Sequence, residues 1–494
     1  MKILIFTDVP PTHALTAGLV LDRVVRFLPK GSVVCFAALG PWIEGPRPRD
    51  LPWMPVYYTS KPPEQGSQRF ARIPWLNQAW GALNEIWKQK TQGAEILRKA
   101  TAFGRQHQVD AVLCVLQGQT MINQAAPLAK ALNVPLYTLV WDPFSWWVRG
   151  HRLDRFTDKR THKAFDDAIR QSQAVATASW AMADHYRDKY GVRAVPVIAS
   201  HDKAMAQSPY PALQHADRVT IGMAGQFYAS AEWAQMMLAL ECAGWKIGGR
   251  DVYIRTMGGS PPPESKIPPG QIEYLGWKSQ PEMVAALSEC DILYCPYPFT
   301  GELGEVSALS FPSKLVAYFA AGRPAIFHGP LDSSPGRYVV EREAALGVGT
   351  PYASSVYNAM EALVTQPDLY RRIAENGRNA FLADFTLERM RDYFYEFLGI
   401  PDDPQAVEAS TADPIDVIDD RKAPRRRVTG HEIGRFLFGW FPPLGAMFQQ
   451  IENLEDMVND LQTVNAMQKD ELTLFYQMTL DSMGETIKVK DKAA

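Results

Sequence analysis

The feature that most constrains this chain is a rhythm that runs once and then restarts. From Met1 to about Ser200, short runs rich in β-branched residues alternate with longer amphipathic segments. The runs are Lys2–Thr7, Ser32–Ala38, Asp110–Leu116, Pro135–Val140, Ala174–Ala178 and Val195–Ala199. Thr16–Leu28, Met121–Leu132 and Trp180–Tyr190 carry helical spacing between them. A helix between two strands returns the chain to the end of the sheet where it started, which favours parallel strands. The pattern therefore predicts a parallel sheet with helices on both faces.

After the stretch Ser208–Ala216 the rhythm begins again, with strands at Arg218–Met223, Asp251–Met257, Ile272–Leu275, Asp291–Cys295 and Ala325–His328. Helices are expected at Ala229–Ala243, Gln280–Ser288, Ser354–Val364, Leu369–Phe381 and Leu387–Leu398. The fold class is α/β: two doubly wound Rossmann-like domains, 1–212 and 213–400, plus a helical tail. Two such sheets in one chain can face each other across a cleft at the carboxyl ends of their strands, where loop amides and helix N-termini converge. The plainer alternative is two independent domains sharing a chain.

Composition removes several function classes. With 51 basic and 54 acidic residues the net charge is −3, which excludes a chain-wide polybasic surface for nucleic acid or anionic membrane but not a local basic patch; no nucleic-acid partner is expected. No stretch approaches the ~20 uncharged apolar residues of a membrane span. The five cysteines lack zinc-ligand spacing, and four fall in or beside strand runs, so they read as buried free thiols in a reducing cytoplasm. There is no Asp-x-Asp pair, Walker pattern or Gly-x-Ser-x-Gly, and the nine histidines are scattered. No metal or other cofactor is expected.

Residues 401–430 read as a linker, acidic to Asp420 and then basic at Arg421, Lys422, Arg425, Arg426 and Arg427. Residues 431–494 read as a helical tail. Its aromatic patch, Phe436–Phe448, suits the membrane interface or a contact between protomers. From Ile451 to about Phe475 a heptad seam (Ile451, Leu454, Val458, Leu461, Leu472, Phe475) predicts a homo-oligomeric coiled coil or a helix folded back on the body. The region Pro41–Trp87 is rich in Trp and Pro and reads either as aromatic faces for a carbohydrate or lipid-linked acceptor, or as a long loop packed on the first domain.

The most informative segment is Ser310-Phe-Pro-Ser-Lys-Leu-Val-Ala-Tyr-Phe-Ala-Ala-Gly-Arg-Pro324. It predicts a helix capped by Ser310 or Phe311, with Pro312 in the first turn and Gly322 at its end. Ser313 and Lys314 then lie in the opening turn, where free amides, the helix dipole and an ammonium converge on one anion. A helix terminus contributes ~0.3–1 kcal/mol and a charge-assisted hydrogen bond ~1.5–3. Micromolar binding needs about 8 kcal/mol, so a base and ribose must add to a diphosphate. An ordinary capped helix with an exposed lysine is the other reading.

This segment, with Ile272–Trp277, Ala178–Gly191 and Ile373–Thr386, resembles the GT-B glycosyltransferases, in particular the group-one, usually retaining branch. The resemblance covers about Met1–Gly399. It implies an acceptor-binding N-terminal half and a C-terminal half that binds a nucleotide sugar without a metal. Donor contacts are then expected from Ser313, Lys314 and Leu315, from Gly225 and Gln226 after the second domain's first strand, and from Gly18, which otherwise serves helix packing. Asp142 stands where relatives often carry a His-Asp pair, so Asp142 and Lys314 are the catalytic candidates. Two positions depart from the pattern: Gln226 replaces an Arg, and Ala317 replaces a ribose-binding carboxylate. Glu302 and Glu305, in the preceding loop, are the candidates to compensate. The expected activity is cytoplasmic sugar transfer to a glycan or lipid-linked acceptor in cell-surface polysaccharide synthesis, with possible peripheral contact at the inner face of the membrane. A degenerate GT-B domain that binds or assembles without catalysis is the alternative, and an epimerase of the same fold is a third.

Overall fold

The computed structural model describes residues 1–421, apart from 13–15, 41–50, 52, 65, 67–68, 71, 152, 226, 228, 260, 262–266, 269, 300–303 and 402–416. The tail readings, with Gln226 and Glu302, lie outside the described residues.

The N-terminal lobe runs β1 (Ile3–Thr7), α1 (Thr16–Arg26), β2 (Val33–Leu39), β3 (Val56–Ser60), α2 (Pro74–Lys88), α3 (Ala94–Gln106), β4 (Ala111–Val115), α4 (Gln119–Leu132), β5 (Leu136–Val140), α5 (Phe144–His151), α6 (Arg155–Gln171), β6 (Ser172–Thr177), α7 (Trp180–Tyr190) and β7 (Ala194–Pro196). The C-terminal lobe continues with β8 (Arg218–Ala224), α8 (Ser230–Cys242), β9 (Lys246–Ile247), β10 (Arg250–Met257), β11 (Ile272–Tyr274), α9 (Gln280–Ser288), β12 (Ile292–Pro296), α10 (Gly304–Leu309), α11 (Ser313–Ala320), β13 (Ala325–His328), α12 (Ser334–Arg342), β14 (Leu346–Val348), α13 (Ala353–Thr365) and α14 (Pro367–Asp384). Last come α15 (Leu387–Leu398) and β15 (Val417–Asp419).

The first sheet has the order β15-β3-β2-β1-β4-β5-β6-β7, every pair parallel. Order reverses between β1 and β4, and the same reversal occurs between β8 and β12 in the second sheet, β11-β10-β8-β12-β13-β14. Such a switch point opens a crevice beyond the carboxyl ends of the strands. Strands β1, β2, β4, β5 and β12 are buried along their whole length, as sheets covered on both faces require. Apolar layers lie on each face of both sheets.

Local chemistry sets the helix ends. Asp154 caps α6 and Ser179 caps α7, each accepting from first-turn amides, while Ser279 and Glu282 form a capping box on α9. The chain crosses between lobes near His201 and returns beside itself: the His201 amide donates to the Phe385 carbonyl (3.0 Å) and the Leu387 amide to His201 (3.0 Å). Beyond this crossing α15 joins the N-terminal lobe, burying Met390, Phe394 and Phe397 in the layer that covers β1 and β4.

Three expectations need correction. Within the acidic stretch read as linker, Val417–Asp419 form a strand that pairs with Val56–Tyr58, because β3 would otherwise leave its edge open. The Trp- and Pro-rich region holds β3 and the long helix α2 rather than one loop. The Val195–Ala199 run is strand only over Ala194–Pro196, after which the chain leaves for the lobe crossing.

Candidate active site

The site begins at two strand ends in the C-terminal lobe. After β8 the chain turns at Gly225 with φ +95°, a conformation costly for any residue bearing a Cβ. A Cβ on Gly258, after β10, would stand 2.7 Å from the Gly225 carbonyl oxygen, so the two loops meet backbone to backbone. This leaves a floor on which a ligand can approach the main chain.

Opposite it lies the start of α11. Pro312 takes the N-cap position and offers no side-chain acceptor, so the opening amides of the helix are not covered by a cap. The expected caps, Ser310 and Phe311, fall just outside the helix. Ser310 instead donates to Asp142 across the lobes (3.2 Å), and Phe311 packs against Trp180 and Phe385. Lys314 is only 8% exposed, and burial pulls its ammonium below its ordinary pKa. A cation so desolvated gains strongly from a bound anion.

Ser313, Lys314 and Gly225 line one interlobe cavity of about 730 Å³, with Arg23 of α1, His201 and Trp277. The size lies in the range of small-molecule sites. Arg23 ties its walls together, donating to the Ser200 carbonyl and to the Gln280 side chain at the start of α9. Leu315 faces the core, and its amide donates to the Pro312 carbonyl (3.0 Å), so it contributes only packing here. Ala317, two residues further along the same helix, is also fully buried in the core.

Gly18 lies in α1 beside this cavity, but the close approach it permits is to its own chain. A Cβ there would fall 2.2 Å from the Thr12 methyl and 2.9 Å from the Pro10 carbonyl oxygen. Asp142 follows β5 and opens onto solvent on one side. Protein around the rest pushes its carboxyl above the ordinary value, with the Ser310 hydroxyl pulling the other way. Glu305, in the first turn of α10, accepts a hydrogen bond from Ser145 of α5, which places it at the seam between lobes. Asp142, Ser310, Ser145 and Glu305 thus form a second set of contacts across the cleft.

Sequence reasoning missed a buried charge cluster on the N-terminal side. Lys61, just after β3, reaches Asp8 after β1 (2.8 Å) and Glu64 (2.6 Å), and Glu64 also accepts from the Thr120 amide at the start of α4 (2.7 Å). The cluster sits beyond the carboxyl ends of β1, β3 and β4, around the switch point. Burial, opposed by Lys61, holds the Asp8 carboxyl above its ordinary value. Side-chain atoms of Asp8, Gln117, Gln119 and Thr120 are buried there with no hydrogen-bond partner among the described residues. The only local signal was a carboxylate directly after the first strand. Glu232, buried in the first turn of α8, was also missed; it accepts from the Phe299 amide (2.9 Å) and fixes the loop after β12. Among the described residues, no group of three His, Cys, Asp or Glu side chains is placed to hold a metal ion.

No family model matches the chain, and no curated protein matches it by sequence. Solved structures do match in shape. Sucrose-phosphate synthase from Thermosynechococcus elongatus superposes with a TM-score of 0.56 at 12% identity, over 81% of this chain and 98% of that one. HepE from Anabaena, solved in complex with UDP, gives 0.57 at 14% identity over 81% and 100%. A UDP-forming trehalose-phosphate synthase from Burkholderia xenovorans gives 0.53 at 13% over 81% and 99%. At such identities the likeness concerns the path of the backbone, and it agrees with the switch points, the interlobe cavity and the returning helix α15: the chain has the GT-B glycosyltransferase fold.

Proposed function

We propose that the protein transfers a sugar from a nucleotide diphosphate donor to a hydroxyl-bearing acceptor in the interlobe cleft. One observation carries the reading: the uncapped start of α11 and the desolvated Lys314 ammonium face the same cavity as the Gly225 turn. Amides and an ammonium so arranged favour the leaving diphosphate as its charge develops. The exposed indole of Trp277, on the same cavity, offers a face for the base. UDP and UDP-glucose are bound by HepE, a protein of the same fold, which makes them the first donors to try.

On the opposite lip, Asp142, held by Ser310 across the lobes, is our candidate to act beside the reacting sugar. In the retaining course of the group-one branch, attack comes from the leaving group's own face with a donor phosphate oxygen as base. No protein nucleophile and no metal are then called upon. A glycan or lipid-linked acceptor in cell-surface polysaccharide synthesis fits this chemistry.

The test is a thermal shift. UDP or GDP at about 100 times its Kd should stabilise by about 2.7 kcal/mol, a rise of a few degrees in Tm for a chain this long. Lys314→Ala should abolish most of that rise. No rise with either nucleotide sinks the proposal.

A second reading, a GT-B body that binds without turnover, is favoured by the core position of Ala317, which leaves that turn of α11 without a ribose carboxylate. Release of free UDP from UDP-glucose rejects it; a thermal shift without release supports it.

A further inference from the structure

Helix α2 is built inside out. Its polar side chains turn toward the protein: Lys88 donates to the Pro63 carbonyl (2.8 Å) and to Glu85 (3.1 Å), and both residues are buried. Gly81, also on this inner side, packs against Asp154, the cap of α6. The apolar residues recur at helical spacing on the other side. Trp75 is 73% exposed, Leu83 64% and Trp87 59%, with Trp80 and Ile86 also open to solvent. Phe156, 72% exposed, stands at the adjoining start of α6, where the Arg155 amide donates to Gln78 of α2.

The exposed charges around this face are mostly basic, with Asp158 of α6, paired to His162 (2.6 Å), as an exception. The sole carboxylate of α2, Glu85, is the one turned inward. Exposed Arg72 and Lys90 flank the helix, and exposed Arg155 and Lys159 lie on the neighbouring α6. Indoles and branched aliphatics within a cationic rim match an anionic lipid surface, where tryptophan settles at the headgroup level and lysine and arginine meet phosphate. Helix α2 runs on through residues 89–93 into α3, and with Glu85 and Lys88 on its inner side it is suited to lying in the interface rather than crossing it.

We infer that α2 is an interfacial docking helix that seats Trp75, Leu83 and Trp87 in an anionic bilayer surface. Through Lys88 and Pro63 it is fastened to the segment bearing Lys61 and Glu64, at the rim of the N-terminal switch point. Docking there brings that side of the cleft to the membrane. The inference stands apart from the proposed chemistry, since lipid binding is read without substrate.

The test is flotation of the full chain with phosphatidylcholine vesicles, with and without phosphatidylglycerol. Wild type should float only with the anionic vesicles, and less as salt is raised. The outward-facing triple variant Trp75→Ser, Leu83→Ser, Trp87→Ser should bind at least about tenfold more weakly, with its melting temperature near that of wild type. Arg72→Glu with Lys90→Glu, which spares the apolar face, should likewise bind at least about tenfold more weakly. Phe438→Ser with Trp440→Ser, in the tail, should float as wild type. Three outcomes overturn the inference: wild type that stays with the soluble fraction, α2 variants that float as wild type, or loss of flotation in the tail variant alone. A fourth is an α2 triple variant whose only change is a smaller particle mass by light scattering, which assigns the face to a second copy of the chain.

Discussion

Lys61 holds two buried carboxylates apart, and its worth lies in what its removal would leave. Asp8 and Glu64 come from segments more than fifty residues apart and are both enclosed. Replacing Lys61 with Met would leave them with no cation between them. Stripping one partner from a buried ion pair costs about 3–5 kcal/mol. The expected result is a lower urea midpoint at neutral pH with an unchanged slope. The loss should shrink in mild acid, where one carboxyl takes up a proton. An unchanged midpoint would show that the cluster adds nothing to stability. Such a constellation was hard to see from the chain alone, because no local spacing joins residues 8, 61 and 64 to 120; only the order β3-β2-β1-β4 does. Lys314 was easier, since its helix carries its own punctuation in Pro312 and Gly322.

Among the elements, the strands were the most legible. A strand covered on both faces must be apolar throughout, and β1, β4 and β5 announce themselves in that way. Helices α9 and α15 were equally plain, for each has a Ser or Thr cap and, in α15, a closing glycine in the left-handed region. The failures share a cause. Helix α2 has a clear apolar period, but prolines and tryptophans mask it, and its stripe faces outward, where packing logic does not look. Strand β15 is three residues long, too short for any period. It is nevertheless fastened: the Asp420 amide donates to the Tyr58 carbonyl (2.9 Å), and its carboxylate receives the Tyr57 hydroxyl (2.9 Å) and Lys99 (2.5 Å). Asp420→Ala should release this edge. Hydrogen exchange should quicken at residues 417–420 and along β3, with β1 and β4 unchanged. Unaltered exchange at residues 417–420 would mean that the ladder alone holds the strand.

For the whole molecule, acid should matter through two enclosed imidazoles. Burial, helped by the neighbouring Arg23, lowers His201 from 6.5 to about 4. Burial alone does so for His328. His328 Nε2 donates to the Thr350 carbonyl (2.9 Å), and Nδ1 lies 2.6 Å from the Tyr294 hydroxyl, which also reaches the Glu232 carbonyl (2.8 Å). Between those pH limits the unfolded chain binds more protons than the folded one, so stability falls as pH falls. Each imidazole removes about 3 kcal/mol across that window. Asp8, Asp142 and Glu232, whose pKa values are raised, act in the opposite sense. The comparison is therefore between wild type and His328→Gln. The variant should lose less of its melting temperature between pH 7 and about pH 4.5, and parallel curves would exclude this imidazole.

The paired passage at His201 and Phe385–Leu387 also limits how the lobes can move. One peptide link would act as a swivel. Two lengths of backbone laced side by side behave as a strap, which folds readily along a single crease but resists being wrung. Opening and closing should therefore follow one hinge line, keeping the register between the Asp142 lip and the Ser310 lip through each cycle.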